Sequence, residues 1–213
     1  SLDRAHDYYS FTKRSWRLIQ TAVVRRGQKF RFRNQATNST VDQREFASKA
    51  QLYASSELAE ATFQQFVSIF EGFLFDVIRA WMLAYPDALS KRQLTGKEIL
   101  ALPDRDALID ALAAKELQDV FYDRPINWFA YLKERLGIEP TGALEFAEIK
   151  ATRDILVHAR GVANRQYLEK AANLARGVLG DRLQVPEPYL QQSWLLMRTL
   201  IAEIGSQAAA KFE

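Results

Sequence analysis

The chain of 213 residues is 48% hydrophobic, 26% charged and 12% aromatic, a globular composition that excludes a disordered polymer. Nine glycines, six prolines and no cysteine exclude a turn-rich β-sandwich, a disulfide framework, a thiol nucleophile and a thiolate metal site. The net charge of +3 and pI near 9.1 suit an anionic partner without demanding one.

No apolar stretch reaches the roughly 18 residues that a membrane span needs, and Ser1–Asp7 has no apolar signal region. The expectation is a cytoplasmic protein with no membrane partner.

In chain order, Leu2, Tyr9, Trp16, Ile19, Val23 and Val24 recur at helical spacing and predict a helix over about residues 3–29. The polar, aperiodic stretch Arg31–Thr40 predicts a loop. Helical patterning then runs from about Gln43 to Tyr85 and stops at Pro86. Unbroken, that helix would be about 65 Å long, so a kink or break is expected near Ser55–Ser56. Apolar residues from Phe63 to Trp81 cover most of its circumference, which makes its second half central and buried.

Thr95-Gly-Lys-Glu98 is a capping-box pattern for a short helix before Pro103, and Asp104 can cap a helix reaching about Tyr122. Pro125 suits a first helical position and Gly137 closes that helix near Leu136. A helix from about Gly142 to Arg160 ends at Gly161. Asn164 can cap another through about Arg176, and Pro186 to about Lys211 forms the last. The predicted fold is all-α, an up-down bundle of about seven helices around one core. Residues 1–44 form an N-terminal helix and polar loop packed on a helical domain over 45–213.

One run holds most of the chemistry: Glu148-Ile-Lys-Ala-Thr-Arg153-Asp154-Ile-Leu-Val-His158-Ala-Arg160-Gly161. Projected at roughly 100° per residue, Leu144, Ala147, Ala151, Ile155 and His158 share one apolar face. Phe146, Ile149, Leu156 and Val157 form a second apolar arc, with Arg153 inside it. A helix apolar on two sides packs between neighbours or between subunits. Asp154 and His158 are four apart and can hydrogen-bond, which would fix the imidazole tautomer. Arg153 and His158 lie roughly 140° apart around the helix. They meet at one ligand only if the helix frays near Val157 or two such helices face each other. The bland alternative is a core histidine beside ordinary helix decoration.

Elsewhere, Lys13, Arg14, Arg17, Arg25, Arg26, Lys29, Arg31 and Arg33, with Phe30 and Phe32 interleaved, can bind RNA phosphates or simply form a solvated face. Glu71 and Asp76 can support Arg153 or belong to a surface strip. Asn164 reads as a helix cap or a ligand group, and Tyr167 as a packing residue. Arg160 can add a phosphate contact, although its place at a helix C-terminus is already explained by the dipole. His6 near the chain end is read as uninvolved. No metal-ligand spacing or Gly-rich phosphate loop is visible, so neither a metal nor a cofactor is expected.

The string Arg153-Asp154-Ile-Leu-Val-His158 resembles the Arg-polar-x3-His signature of the HEPN superfamily, the "higher eukaryotes and prokaryotes nucleotide-binding" helical domains. The preceding Glu148 and the following stretch through Gly161, Asn164 and Tyr167 are similar to the flanks in prokaryotic members. Phe70-Glu71-Gly-Phe-Leu-Phe-Asp76-Val-Ile-Arg-Ala-Trp81 is similar to their long first core helix. The resemblance implies a metal-independent endoribonuclease of toxin–antitoxin or phage-defence type, leaving 2′,3′-cyclic phosphate and 5′-hydroxyl ends. It implies His158 as the proton-transfer group, Arg153 as the phosphate clamp and Asp154 as the orienter. Glu148, Arg160, Asn164 and Tyr167 become candidate substrate-binding residues. RNA, an antitoxin protein and a second copy docked through the motif helix are the implied partners. The rival is a non-catalytic domain of the same type that binds nucleic acid, nucleotide or protein; a third reading is a purely structural helical protein.

Overall fold

The computed structural model describes residues 1–25 and 32–212, and it is an all-α bundle with almost no strand. Helix α1 spans Leu2–Arg25. A two-residue hairpin, β1 (Phe32–Arg33) and β2 (Thr40–Val41), pairs Phe32 with Val41 and Arg33 with Thr40. This corrects the loop expected at Arg31–Thr40. The Asn34 side chain takes the amides of Ala36 and Thr37 at 2.9 and 3.3 Å, an Asx turn that reverses the chain without any glycine.

Helix α2 (Gln43–Leu52) is capped by Asp42 and continues into α3 (Leu58–Ala84) through a π-helical turn at Tyr53–Glu57. The expected irregularity near Ser55–Ser56 is this wide turn. Both serine hydroxyls donate to the Leu52 carbonyl, at 3.3 and 3.2 Å, and compete with the backbone ladder there. In α3, Phe63, Phe66, Val67, Phe70, Leu74, Ile78 and Met82 are fully buried. Each such side chain contributes about 1.5–3 kcal/mol of burial free energy. This helix is the axis of the core, packed by α1 and by helices introduced next.

Those are α4 (Gly96–Leu100), opened by the Thr95–Glu98 capping box, α5 (Arg105–Tyr122), capped by Asp104, and α6 (Pro125–Tyr131), with Pro125 in its first turn. Helix α6 runs through a second π turn to Gly137, which sits at φ 64°. Then come α7 (Ala143–His158), α8 (Arg165–Ala171) and α9 (Glu187–Phe212). Helix α8 stops short of the expected Arg176, because Ala172 turns to φ 48° and a left-handed residue ends the ladder.

Leu2, Ala5 and Tyr9 of α1 belong to the main core, while Val23, Val41 and Phe46 gather around Trp16 in a smaller cluster. No helix among the described residues is long and apolar enough to cross a membrane.

Candidate functional site

Helix α7 is buried on two sides within a single chain. Phe146 and Ile149 enter the main core, with Leu156 against it, and the Phe146 ring lies 4.4 Å from that of Phe70. Ala151 and Ile155 join Ala163, Tyr167, Ala171 and Leu183 in a second cluster under α8. Both apolar arcs are therefore largely covered inside the protomer, with Leu144 left 53% exposed near the start of the helix. Of the two packings expected for a helix apolar on two sides, the one between neighbours within the chain is observed; of the second arc's four residues only Val157 is exposed, at 45%.

The helix is fixed at both ends. The Thr141 amide and hydroxyl donate to the Glu203 carboxylate of α9 at 2.7 and 2.9 Å. At the other end the Gly161 amide donates to the Ile155 carbonyl at 2.9 Å. Gly161 sits at φ 76°, and a Cβ there would lie 3.0 Å from the Leu183 carbonyl oxygen, so both conformation and contact call for glycine. Arg160 beside it is exposed at φ 52° and helps close the helix; it does not line the cavity described next.

Arg153, Asp154 and His158 all line one open cavity of about 800 Å³, walled by α3, α5, α7 and α8. Lys150, Lys170, Glu71, Asn164 and Tyr167 also border it. Helix α7 ends at His158, which lines the same cavity as Arg153. The two groups thus share a space within one protomer despite their angular separation on the helix.

The charges there are unequally satisfied. Lys150 donates to Asp154 Oδ1 at 2.5 Å and pairs with Glu71 at 3.3 Å, while Lys170 donates to Asp154 Oδ2 at 3.2 Å. Burial pushes the Asp154 carboxyl up, but its hydrogen bonds and charge contacts with Lys150 and Lys170 outweigh that and hold it below the usual carboxylate range. Asp123 spends its carboxylate on the Arg124 amide and the Asn127 side chain. Among the described residues Arg153 keeps only a 3.3 Å contact from Nη1 to Asp154, and its buried Nε has no partner. It is the least neutralised cation of the cavity.

His158 is exposed, and among the described residues it makes no hydrogen bond or ion pair. The expected Asp154–His158 bond is absent, so Asp154 does not orient the imidazole. The lysines have taken both of its oxygens.

Glu148 lies elsewhere, buried at 5% exposure. Its Oε1 accepts from Thr152 Oγ1 at 2.6 Å, the Tyr167 hydroxyl at 3.1 Å and Arg176 Nε at 3.0 Å, and its Oε2 from the Tyr189 hydroxyl at 2.7 Å. Arg176 also lies flat on the Tyr189 ring, 3.5 Å from its centroid. These bonds tie α7 to α8 and α9 through Glu148, which does not line the cavity of Arg153 and His158. Tyr167 has its hydroxyl in the same network, where it also accepts from the Arg176 amide at 2.9 Å. Asn164 caps α8, its Oδ1 accepting the Tyr167 amide at 2.8 Å.

Sequence reasoning missed Lys170, Arg176 and Tyr189. Lys150 had a signal, its i,i+4 spacing to Asp154; Lys170 and Tyr189 come from other helices and Arg176 from the segment between them, and they had none. Asp76 is exposed with no partner among the described residues, whereas Glu71 reaches the cavity through Lys150.

Of the basic N-terminal segment, Arg26, Lys29, Phe30 and Arg31 lie outside the described residues, as do the side chains of Arg25 and Phe32. Arg14, Arg17 and Arg33 are exposed, but Lys13 is buried and pairs with Tyr9 and Glu187. His6 stacks on Trp194 with centroids 4.2 Å apart. Among the described residues no group of three or more His, Asp or Glu is placed to hold a metal ion.

Compared with known proteins, the chain matches no family model, no curated protein and no solved structure.

Proposed function

We propose that the chain is a metal-independent endoribonuclease, with the Arg153–His158 cavity as its active site. The observation that carries this reading is the Arg153 guanidinium, which among the described residues makes one 3.3 Å contact and lines the same cavity as the unengaged imidazole of His158. The Arg153 side chain keeps 24% of its surface exposed, and a guanidinium holds a phosphodiester oxygen through charge-assisted hydrogen bonds.

In the reaction the ribose 2′-oxygen attacks phosphorus, the bond from phosphorus to the 5′-oxygen breaks, and a 2′,3′-cyclic phosphate and a 5′-hydroxyl result. His158 accepts the 2′-hydroxyl proton or supplies one to the departing 5′-oxygen. Arg153 stabilises the charge that builds on the non-bridging oxygens. The second proton-transfer group in this reading is His158 of a second copy, brought up along the exposed end of α7 at Val157 rather than along its buried arcs. In a toxin or phage-defence setting, an antitoxin protein would act by covering this cavity.

A second reading, a non-catalytic nucleic-acid or nucleotide-binding module, draws on one specific observation. Asp154 is held by Lys150 and Lys170, which leaves the imidazole without an orienting partner.

Mixed RNA incubated with a chelator separates the two. Chelator-resistant cleavage by the wild type, lost in both His158→Ala and Arg153→Ala, supports the nuclease. Retained binding with no cleavage supports the module, and no interaction with RNA removes the nuclease and RNA binding by the module. Light scattering at micromolar protein tests the second copy, which a strict monomer would rule out.

A further inference from the structure

One half of the cavity is not used by the phosphate chemistry. Its α3 and α5 walls are aromatic, formed by Phe75, Phe121 and Tyr122. The Phe75 and Phe121 rings are 5.9 Å apart, and Phe121 leans on Trp128 at 4.8 Å, so this wall is braced from behind. Tyr122, the last residue of α5, is 93% exposed and makes no ring contact or hydrogen bond among the described residues. The backbone that carries it is held by the turn after it, where the Trp128 indole donates to the Asp123 carbonyl at 3.1 Å and Asp123 binds Arg124 and Asn127.

Gly72 lies three residues before Phe75, on the same side of α3, and lines the cavity too. Its φ is not positive, and a Cβ there would meet nothing within 4 Å. Neither backbone conformation nor packing asks for glycine, which inside a helix weakens the fold relative to alanine. What the missing side chain does provide is open wall beside Phe75, where a flat group can lie against the backbone.

We propose that this half of the cavity is a nucleobase subsite. An unpaired base stacks on Tyr122 and Phe75 over Gly72, while its phosphate lies at Arg153. The inference rests on the phosphodiester reading above and sharpens it: the substrate is single-stranded or looped RNA, since a base inside a duplex has no free face to offer.

Anisotropy titrations with a short 2′-O-methyl oligonucleotide, which cannot be cleaved, and an abasic oligomer of equal length and charge test it. The wild type should bind the base-bearing oligomer about tenfold more tightly, in line with stacking on an aromatic side chain. Tyr122→Ala and Gly72→Leu should each remove that advantage and leave abasic affinity unchanged. Gly205→Ala, at another helical glycine with nothing within 4 Å of its Cβ, should leave both affinities as they are. Arg153→Ala should weaken both oligomers alike. Equal wild-type affinity for the two oligomers, or a Tyr122→Ala loss shared by both, overturns the base subsite and leaves the phosphodiester reading standing. Failure of the wild type to bind either oligomer overturns both.

Discussion

Lys150 holds Asp154 across one turn of α7 at 2.5 Å, and this contact decides what the motif helix can do. Asp154 has two neighbours at i±4 spacing, Lys150 before it and His158 after it. An ammonium is a permanent charge at neutral pH, and its bond to a carboxylate is stronger than that of a neutral imidazole. Lys170, from α8, then takes the other oxygen. The carboxylate becomes an anchor for two lysines, and the Arg153 guanidinium keeps only the longer 3.3 Å contact to it.

Asp154→Asn should therefore lower stability by about 2 kcal/mol at neutral pH, the usual worth of hydrogen bonds to a charged group. The Asp154 pKa is lowered in the fold, so its contribution is complete above the unfolded value of about 3.9. It is lost as pH falls through the lower folded value. Urea melts from neutral pH down to strong acid check this: the gap between wild type and variant should close at the acid end. A gap that stays constant with pH would contradict it.

Glu148→Ala should cost about 3–5 kcal/mol, because it strands Arg176 and two tyrosine hydroxyls around a buried void. Tyr189→Phe removes one hydrogen bond of the same network and should cost only about 1 kcal/mol. Denaturant midpoints of the two variants provide the comparison. Near-equal midpoints would mean that Glu148 is not the hub of these contacts.

His158→Ala should leave stability within about 0.5 kcal/mol of wild type, as expected for an exposed side chain with no partner. Under the nuclease reading the same change abolishes cleavage. Thermal melts run beside the chelator assay separate the two effects, and a large drop in melting temperature would show that the imidazole packs after all.

Stability should also fall in strong alkali. Burial, followed by the charge of Glu116 and the bond to it, pushes the Tyr131 phenol up to about 12. Burial and the charge of Glu148 likewise push Tyr189 upward. The fold favours the neutral phenols, so their contribution is whole below the unfolded value of about 10. For Tyr131 it is lost as pH rises through about 12. Difference titration of wild type against Tyr131→Phe, followed by tyrosinate absorbance, isolates this group. An ionisation near the ordinary value would refute the burial argument.

The features legible in the sequence are those in which a side chain meets backbone a few residues away. Thr95 with Glu98, Asp104, Asn164 and Pro125 all fall where their short-range chemistry places them. The two-sided burial of α7 was equally legible, since periodicity records which directions are apolar. It does not record what fills them, and here α8 and the main core fill both. The Asp154 contact was missed because Lys170 lies 16 positions away, and the Glu148 network because Arg176 and Tyr189 lie 28 and 41 away. Such partners are chosen by tertiary packing, which carries no local signature.

The wide turn at Tyr53–Glu57 sets the rotational phase between α2 and α3. A π turn holds one more residue than an α turn, so everything ahead of it is rotated by about 100° relative to an uninterrupted helix. That offset aims Phe46 and Ala50 inward toward α1 while Phe63 and Phe66 face the main core. Excising a single residue from the turn would straighten the winding and swing Phe46 out into water, undocking the N-terminal cluster without touching one contact of the cavity.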